Sequence, residues 1–169
     1  MKLSERSARL NVFMHFLENL AQLSKCTDKK NAAILCDEAL TQVYSIGLNG
    51  GPKKGLNCLC TLGGKYTCVH AEAQALMKAP SPEHGPTWPM LLCTMSPCVT
   101  CASMIINYGV HKVVYMHDYK DATGIKLMLE AGREVYKHDV EEEVLYKLQL
   151  DVDGSVIRPP VPGVKCSSL

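Results

Sequence analysis

Apolar residues follow a helix period in some stretches of this chain and a strand period in others. Ser4 can cap a helix running to about residue 24, with apolar positions at Leu10, Phe13, Leu17 and Leu20. Val12, Phe16 and Leu23 widen that stripe, so its face is expected to serve the core or a subunit contact. Two short apolar runs, 31–36 and 42–46, read as strands joined by a turn through Asp37 and Glu38. Residues 47–55 (Gly-Leu-Asn-Gly-Gly-Pro-Lys-Lys-Gly) break both periods and read as a loop. A helix is expected over 70–78, a Pro-rich surface loop over 81–89 and a short buried strand over 90–94. A helix after Pro97 should end near Gly109. Then 112–116 reads as strand, 122–131 as helix and 133–136 as strand. Strands separated by single helices imply an α/β layer whose second half is mostly parallel. Residues 144–150 and 155–157 flank Asp151-Val152-Asp153-Gly154 as arms of a hairpin. The expected organisation is one domain over 1–160 and a flexible tail over 161–169, with no internal repeat.

Composition narrows the function classes. A chain of 169 residues can bury one substantial core. Eighteen Lys and Arg against 17 Asp and Glu leave no basic footprint for duplex DNA or RNA, so no polynucleotide partner is expected. No apolar run nears the length of a membrane span, and Met1-Lys2-Leu3-Ser4 lacks the apolar core of a secretory signal. The expectation is a cytoplasmic protein, in the host cytoplasm if the chain is viral. Nine cysteines, an odd number, fit reduced thiols better than a disulfide framework. Cys36 and Cys93 lie in apolar runs and read as core. Cys26, Cys58, Cys60 and Cys68 read either as small core residues or as ligands of a second, structural zinc.

Chemistry concentrates in His70-Ala71-Glu72 and Pro97-Cys98-Val99-Thr100-Cys101. His70, Cys98 and Cys101 offer three zinc ligands, and Glu72 is a carboxylate that need not be a fourth. The metal position left open takes a water, whose pKa zinc lowers toward roughly 7. Glu72 beside that water can shuttle protons. Inside a helix, positions 70 and 72 diverge by about 160°, so both can serve one site only at the looser first turn. Cys98 and Cys101 share a helix face, and the helix N-terminus favours their thiolates. A lone C-x-x-C is equally a redox pair or half of a structural zinc site. A redox pair leaves His70 and Glu72 without a role. Taken in order, H-x-E and P-C-x-x-C form the signature of the zinc-dependent base deaminases.

With Ser24-Lys25-Cys26, Gly47-Leu48-Asn49-Gly50-Gly51-Pro52, Gly55, Asn57-Cys58, Gly109-Val110-His111 and Ala131-Gly132-Arg133, the chain resembles the cytidine deaminase superfamily. Within it the chain is closest to the deoxycytidylate (dCMP) deaminases, over about 24–137. The segment from Asn49 to Gly55 carries that narrower resemblance. It implies a three-layer α/β fold, a central five-stranded mixed sheet flanked by helices. It implies hydrolytic conversion of dCMP to dUMP and ammonia, which supplies the precursor of dTMP. Asn49 would then read the sugar, the alternative being a plain turn residue. The Ala71 N–H and the backbone from Thr94 to Ser96 would read the pyrimidine edge, with Tyr119 near base or phosphate. The resemblance also implies a homohexamer and dCTP and dTTP effectors, with Mg2+ as the ion an effector would bring besides the catalytic Zn2+. The effector site would draw on Gly50, Lys53, Gly55 and Asn57, a segment that reads equally as a solvated basic turn. Two departures stand out. Gln74 occupies a place where the family usually has Asn, and the stretch from Asn57 to His70 is short. Two other readings remain: a deaminase of another small cytosine compound or other base, and a zinc-stabilised binding module without turnover.

Overall fold

The computed structural model describes residues 3–52, 68–81, 89–157 and 164–165. Helix α1 (Leu3–Ala21) precedes strands β1 (Ala32–Asp37) and β2 (Val43–Leu48), then helix α2 (Ala71–Lys78). Strand β3 (Pro89–Met95), helix α3 (Val99–Tyr108), strand β4 (Lys112–His117), helix α4 (Thr123–Glu130) and strand β5 (Glu134–Asp139) alternate after it. Short strands β6 (Val144–Lys147), β7 (Gln149–Leu150), β8 (Val156–Ile157) and β9 (Val164–Lys165) close the chain.

The main sheet has the order β2-β1-β3-β4-β5-β6-β9. Its first five strands are the five expected from the sequence. They form a mixed sheet: β1 is antiparallel to β2 and β3, and β3, β4 and β5 run parallel. Beyond them β6 and the two-residue β9 extend the edge antiparallel. The hairpin expected over 144–157 is divided. Its first part joins the main sheet as β6, and only β7 and β8 pair with each other. Leu148 marks the division, buried and donating its N–H to the Val135 carbonyl at 2.9 Å. Val164 and Lys165, within the expected tail, pair with Leu145 and Val144 of β6.

Both faces of the central strands are apolar, which forces a layer on each side. Ala33, Leu35, Leu91, Cys93, Val113 and Tyr115 point to one face and pack with α2, α3 and α4. Ile34, Cys36, Leu92, Val114 and Met116 point to the other and pack with α1 through Leu10, Met14 and Leu17. The α1 stripe is narrower than its sequence: Val12, Phe16 and Leu23 remain exposed. Cys36 and Cys93 are core residues as expected, and burial pushes the Cys36 thiol up to about 12. The β1–β2 turn is closed by Asp37, whose Oδ1 accepts the N–H groups of Thr41 and Gln42 at 2.7 Å.

Two glycines seat the helices that carry the chemistry. A Cβ on Gly47 of β2 would lie 1.9 Å from the Ala71 carbonyl oxygen, at the start of α2. A Cβ on Gly124 of α4 would lie 2.1 Å from the Pro97 oxygen, just before α3. Only glycine lets each neighbour approach so closely.

Candidate metal centre and nucleotide cavity

His70 and Cys98 are the cap residues of α2 and α3, both in extended backbone conformation. That resolves the angular problem of H-x-E. His70 lies outside the helical wheel, so its ring turns toward α3 while Glu72, inside the first turn, is buried. Its Nδ1 stands 3.5 Å from the Sγ atoms of both Cys98 and Cys101. The three ligand atoms lie within 4.8 Å of one another, the one such group of metal-binding side chains found among the described residues. Around a tetrahedral zinc, with bonds of about 2.3 Å to sulfur and 2.05 Å to nitrogen, such atoms would stand about 3.6 Å apart. The donor set therefore fits zinc in both chemistry and spacing.

Charge is distributed unevenly over the thiols. The Cys98 sulfur is favoured as thiolate by hydrogen bonds from the Cys101 thiol and the His70 ring, which bring its pKa down to about 3. The same bond pushes the Cys101 thiol upward. His70 is raised in turn, chiefly by its bond to Cys98. Glu72 is raised to about 7 by burial, against the opposing pull of its own backbone N–H and the His70 charge. A carboxyl poised there can both accept and release a proton near neutrality.

His70, Cys98 and Glu72 line a cavity of ≈ 310 Å³, with the buried Cys101 beside them. Besides the ligands His70 and Cys98, its wall includes five of the expected site residues: Asn49, Ala71, Glu72, Ser96 and Tyr119. Ala71 is the first residue of α2, so its N–H has no partner within the helix and is available to a ligand. Ser96 is buried, and its Oγ accepts the Tyr119 N–H at 2.7 Å. Asn49 is also buried. Its Oδ1 accepts from the Ser24 hydroxyl at 2.6 Å and the Asn31 N–H at 2.7 Å, while Nδ2 donates to the Lys29 carbonyl at 2.6 Å. Most of that amide is thus engaged in holding the 24–31 segment against β2. Gly50 pairs with Val69 through both its N–H and its carbonyl. Lys53, Gly55 and Asn57 of the expected effector segment lie outside the described residues, as do Cys58, Cys60 and most of the 81–89 loop.

Sequence reading missed two cavity cations, Lys29 and Lys120. Each stands beside a segment that was singled out, Ser24-Lys25-Cys26 and the residue Tyr119. Nothing local says that 29 and 120 meet across one cavity. Cys26, Asp28, Asn31, Cys68 and Met95 complete that wall.

The family of the cytidine and deoxycytidylate deaminase zinc-binding region matches residues 7–117. The chain belongs to this family. Among its deaminase relatives, the deoxycytidylate deaminase of Saccharomyces cerevisiae is 29% identical over 143 residues, 78% of this chain and 45% of the yeast protein. A Drosophila melanogaster relative is 29% identical over 132 residues, 68% of this chain and 64% of its own length. The chain thus spans about half to two thirds of these curated relatives. A dCMP deaminase from the cyanophage S-TIM5, solved in complex with dCMP and dUMP, is 32% identical. It superposes with a TM-score of 0.65 over 75% of this chain and 93% of its own. The three-layer fold with its mixed central sheet is the cytidine deaminase-like fold. No helix among the described residues is long and apolar enough to cross a membrane.

Proposed function

We propose that this deaminase-family chain hydrolyses dCMP to dUMP and ammonia. The observation that carries the reading is a His-Cys-Cys zinc ligand set beside one cavity that His70, Cys98, the buried Glu72 and the cations Lys29 and Lys120 line. When bound by His70, Cys98 and Cys101, zinc would supply a water whose pKa falls toward roughly 7. Glu72, buried beside the ligands, would carry one proton from the attacking water to the ring nitrogen and the second to the amino group, which would leave as ammonia while the water oxygen becomes the new carbonyl. The Ala71 N–H and the backbone near Ser96 hold the pyrimidine edge. Asn49 stands where the sugar lies, with little donor capacity to spare. Lys29 and Lys120 are the groups to receive a 5′-phosphate. A binding module without turnover would gain nothing from a carboxyl buried beside the metal ligands, where burial is costly. The family resemblance supports supply of the dTMP precursor, a hexameric assembly and dCTP and dTTP effectors as further parts of the reading.

Ammonia release from dCMP, deoxycytidine, CMP and cytosine, each with and without dCTP and dTTP, tests this. The expected result is dCMP as best substrate by a large kcat/KM ratio. Equal or better use of unphosphorylated cytidine or deoxycytidine would move the assignment to another small cytosine substrate and leave the zinc chemistry intact.

A further inference from the structure

We infer that Asp118 is a positioning residue that sets the Tyr119–Lys120 strap against the phosphate end of the cavity. The inference rests on the monophosphate reading above.

The strap leaves β4 at His117 and returns at α4. Four contacts determine its path at its start. The His117 carbonyl accepts the Ser96 N–H at 2.8 Å, and the buried Ser96 hydroxyl accepts the Tyr119 N–H at 2.7 Å. Between them, Asp118 Oδ1 accepts the phenol of the buried Tyr115 at 3.0 Å, and Oδ2 takes the Lys137 ammonium. Tyr115 and Lys137 are register partners on the parallel strands β4 and β5, so both reach the strap from one sheet face. Asp118 therefore ties two rigid strands to the residue before Tyr119. Downstream, the Lys120 Nζ lies 5.8 Å from the Tyr119 ring centroid, within cation–π range, and both side chains line the cavity.

The stability of the ion pair with Lys137 does not explain this clamp. The Asp118 side chain is 50% exposed, and ion pairs at such positions contribute little to folding. Its geometry does more: it uses two strand residues to aim one loop. Electrostatics makes the inference decidable. As a mere charge, Asp118 repels a phosphate, and removing it would tighten phosphate binding. As a positioning residue, its removal lets Lys120 drift and weakens that binding. The two roles have opposite signs.

The experiment compares Asp118→Ala with wild type in turnover of dCMP and deoxycytidine, and in calorimetric binding of dUMP and deoxyuridine. Zinc content and melting temperature are followed in parallel. The expected result is a KM for dCMP and a Kd for dUMP raised roughly tenfold, the scale of one charge-assisted hydrogen bond. The nucleoside values, kcat, zinc content and melting temperature should stay within about twofold or a few degrees. The exchanged pair Asp118→Lys with Lys137→Asp, which can restore the contact in reverse, should recover part of the dUMP affinity. Tighter or unchanged dUMP binding in Asp118→Ala overturns the inference, as does an equal loss for nucleotide and nucleoside. A wild type that binds dUMP no better than deoxyuridine removes the phosphate reading itself, and this inference with it.

Discussion

Glu72 and Cys98 separate the two halves of the chemistry. Glu72→Gln preserves volume in the buried first turn of α2 but cannot exchange protons. Zinc should remain bound, and turnover should fall by the roughly 10²–10⁴-fold ascribed to general acid–base catalysis. Near-normal turnover in that variant would assign the protons to another group. Cys98→Ala removes the sulfur on which negative charge is most stable. Zinc and activity should be lost together, and a soluble variant with full metal content would contradict the ligand set. Asn49 combines two roles. Its amide satisfies the Ser24 hydroxyl, the Asn31 N–H and the Lys29 carbonyl; Asn49→Ala strands the part-buried Asn31 N–H and Lys29 carbonyl, while the Ser24 hydroxyl keeps the Asn49 backbone carbonyl at 2.7 Å. A stability loss of about 2 kcal/mol or more is expected, read from the denaturant midpoint, together with a weakened preference for dCMP. A variant with wild-type stability would show that the amide network is not what holds the 24–31 segment.

At the scale of elements, the metal centre is the meeting of two helix starts, and Gly124 sets how closely α4 backs one of them. In Gly124→Ala the new methyl must displace Pro97 and Cys98 or push α4 away, since its Cβ would sit 2.1 Å from the Pro97 oxygen. The first movement shifts the Cys98 sulfur, and the second removes the packing that backs it. Zinc affinity in a chelator competition should fall roughly 10- to 100-fold, as for other residues that orient metal ligands. Lys126→Ala, on the exposed side of the same helix, should leave affinity unchanged, and equal losses in both would deny the specific contact. Gly124 did not stand out in the sequence, and Gly47 stood out only as the start of a loop and of a family-like segment, because close approach is a property of the packed pair. The elements themselves were largely legible. Strands β1, β3 and β4 are short and apolar on both faces, β5 is short and carries charges beside its buried Val135, and helices α2 and α3 follow directly from the motifs. Strand β6 was misassigned to a hairpin because its residues pattern like the arm that follows. The ligands were legible because spacing within each motif is local. Lys29 and Lys120 were not, because only the crossover connections bring them to one wall.

Across the whole molecule, one buried contact joins the last strand of the central five to the first helix. His138 of β5 places Nε2 2.8 Å from Asn11 Oδ1 of α1, with both residues buried. With the amide oxygen as acceptor, Nε2 carries the proton and the ring can remain neutral. Burial is the main cause that lowers the His138 pKa to about 4; His15 adds to it and Asp139 opposes it. An unfolded chain binds a proton here near the ordinary 6.5, so the folded state is favoured while the ring is neutral. That contribution is complete above about pH 6.5 and is lost as pH falls toward about 4, by about 3 kcal/mol at most. His138→Gln keeps an N–H for Asn11 but does not titrate. Melting temperatures of the two proteins should therefore converge between pH 7.5 and pH 4.5, because wild type loses stability that the variant never had. Taking the difference at each pH cancels the other titrating groups, provided they are not coupled to His138. A difference that stays constant over that range would mean that His138 binds its proton equally in the folded and the unfolded chain, so that burial against α1 does not hold the ring neutral.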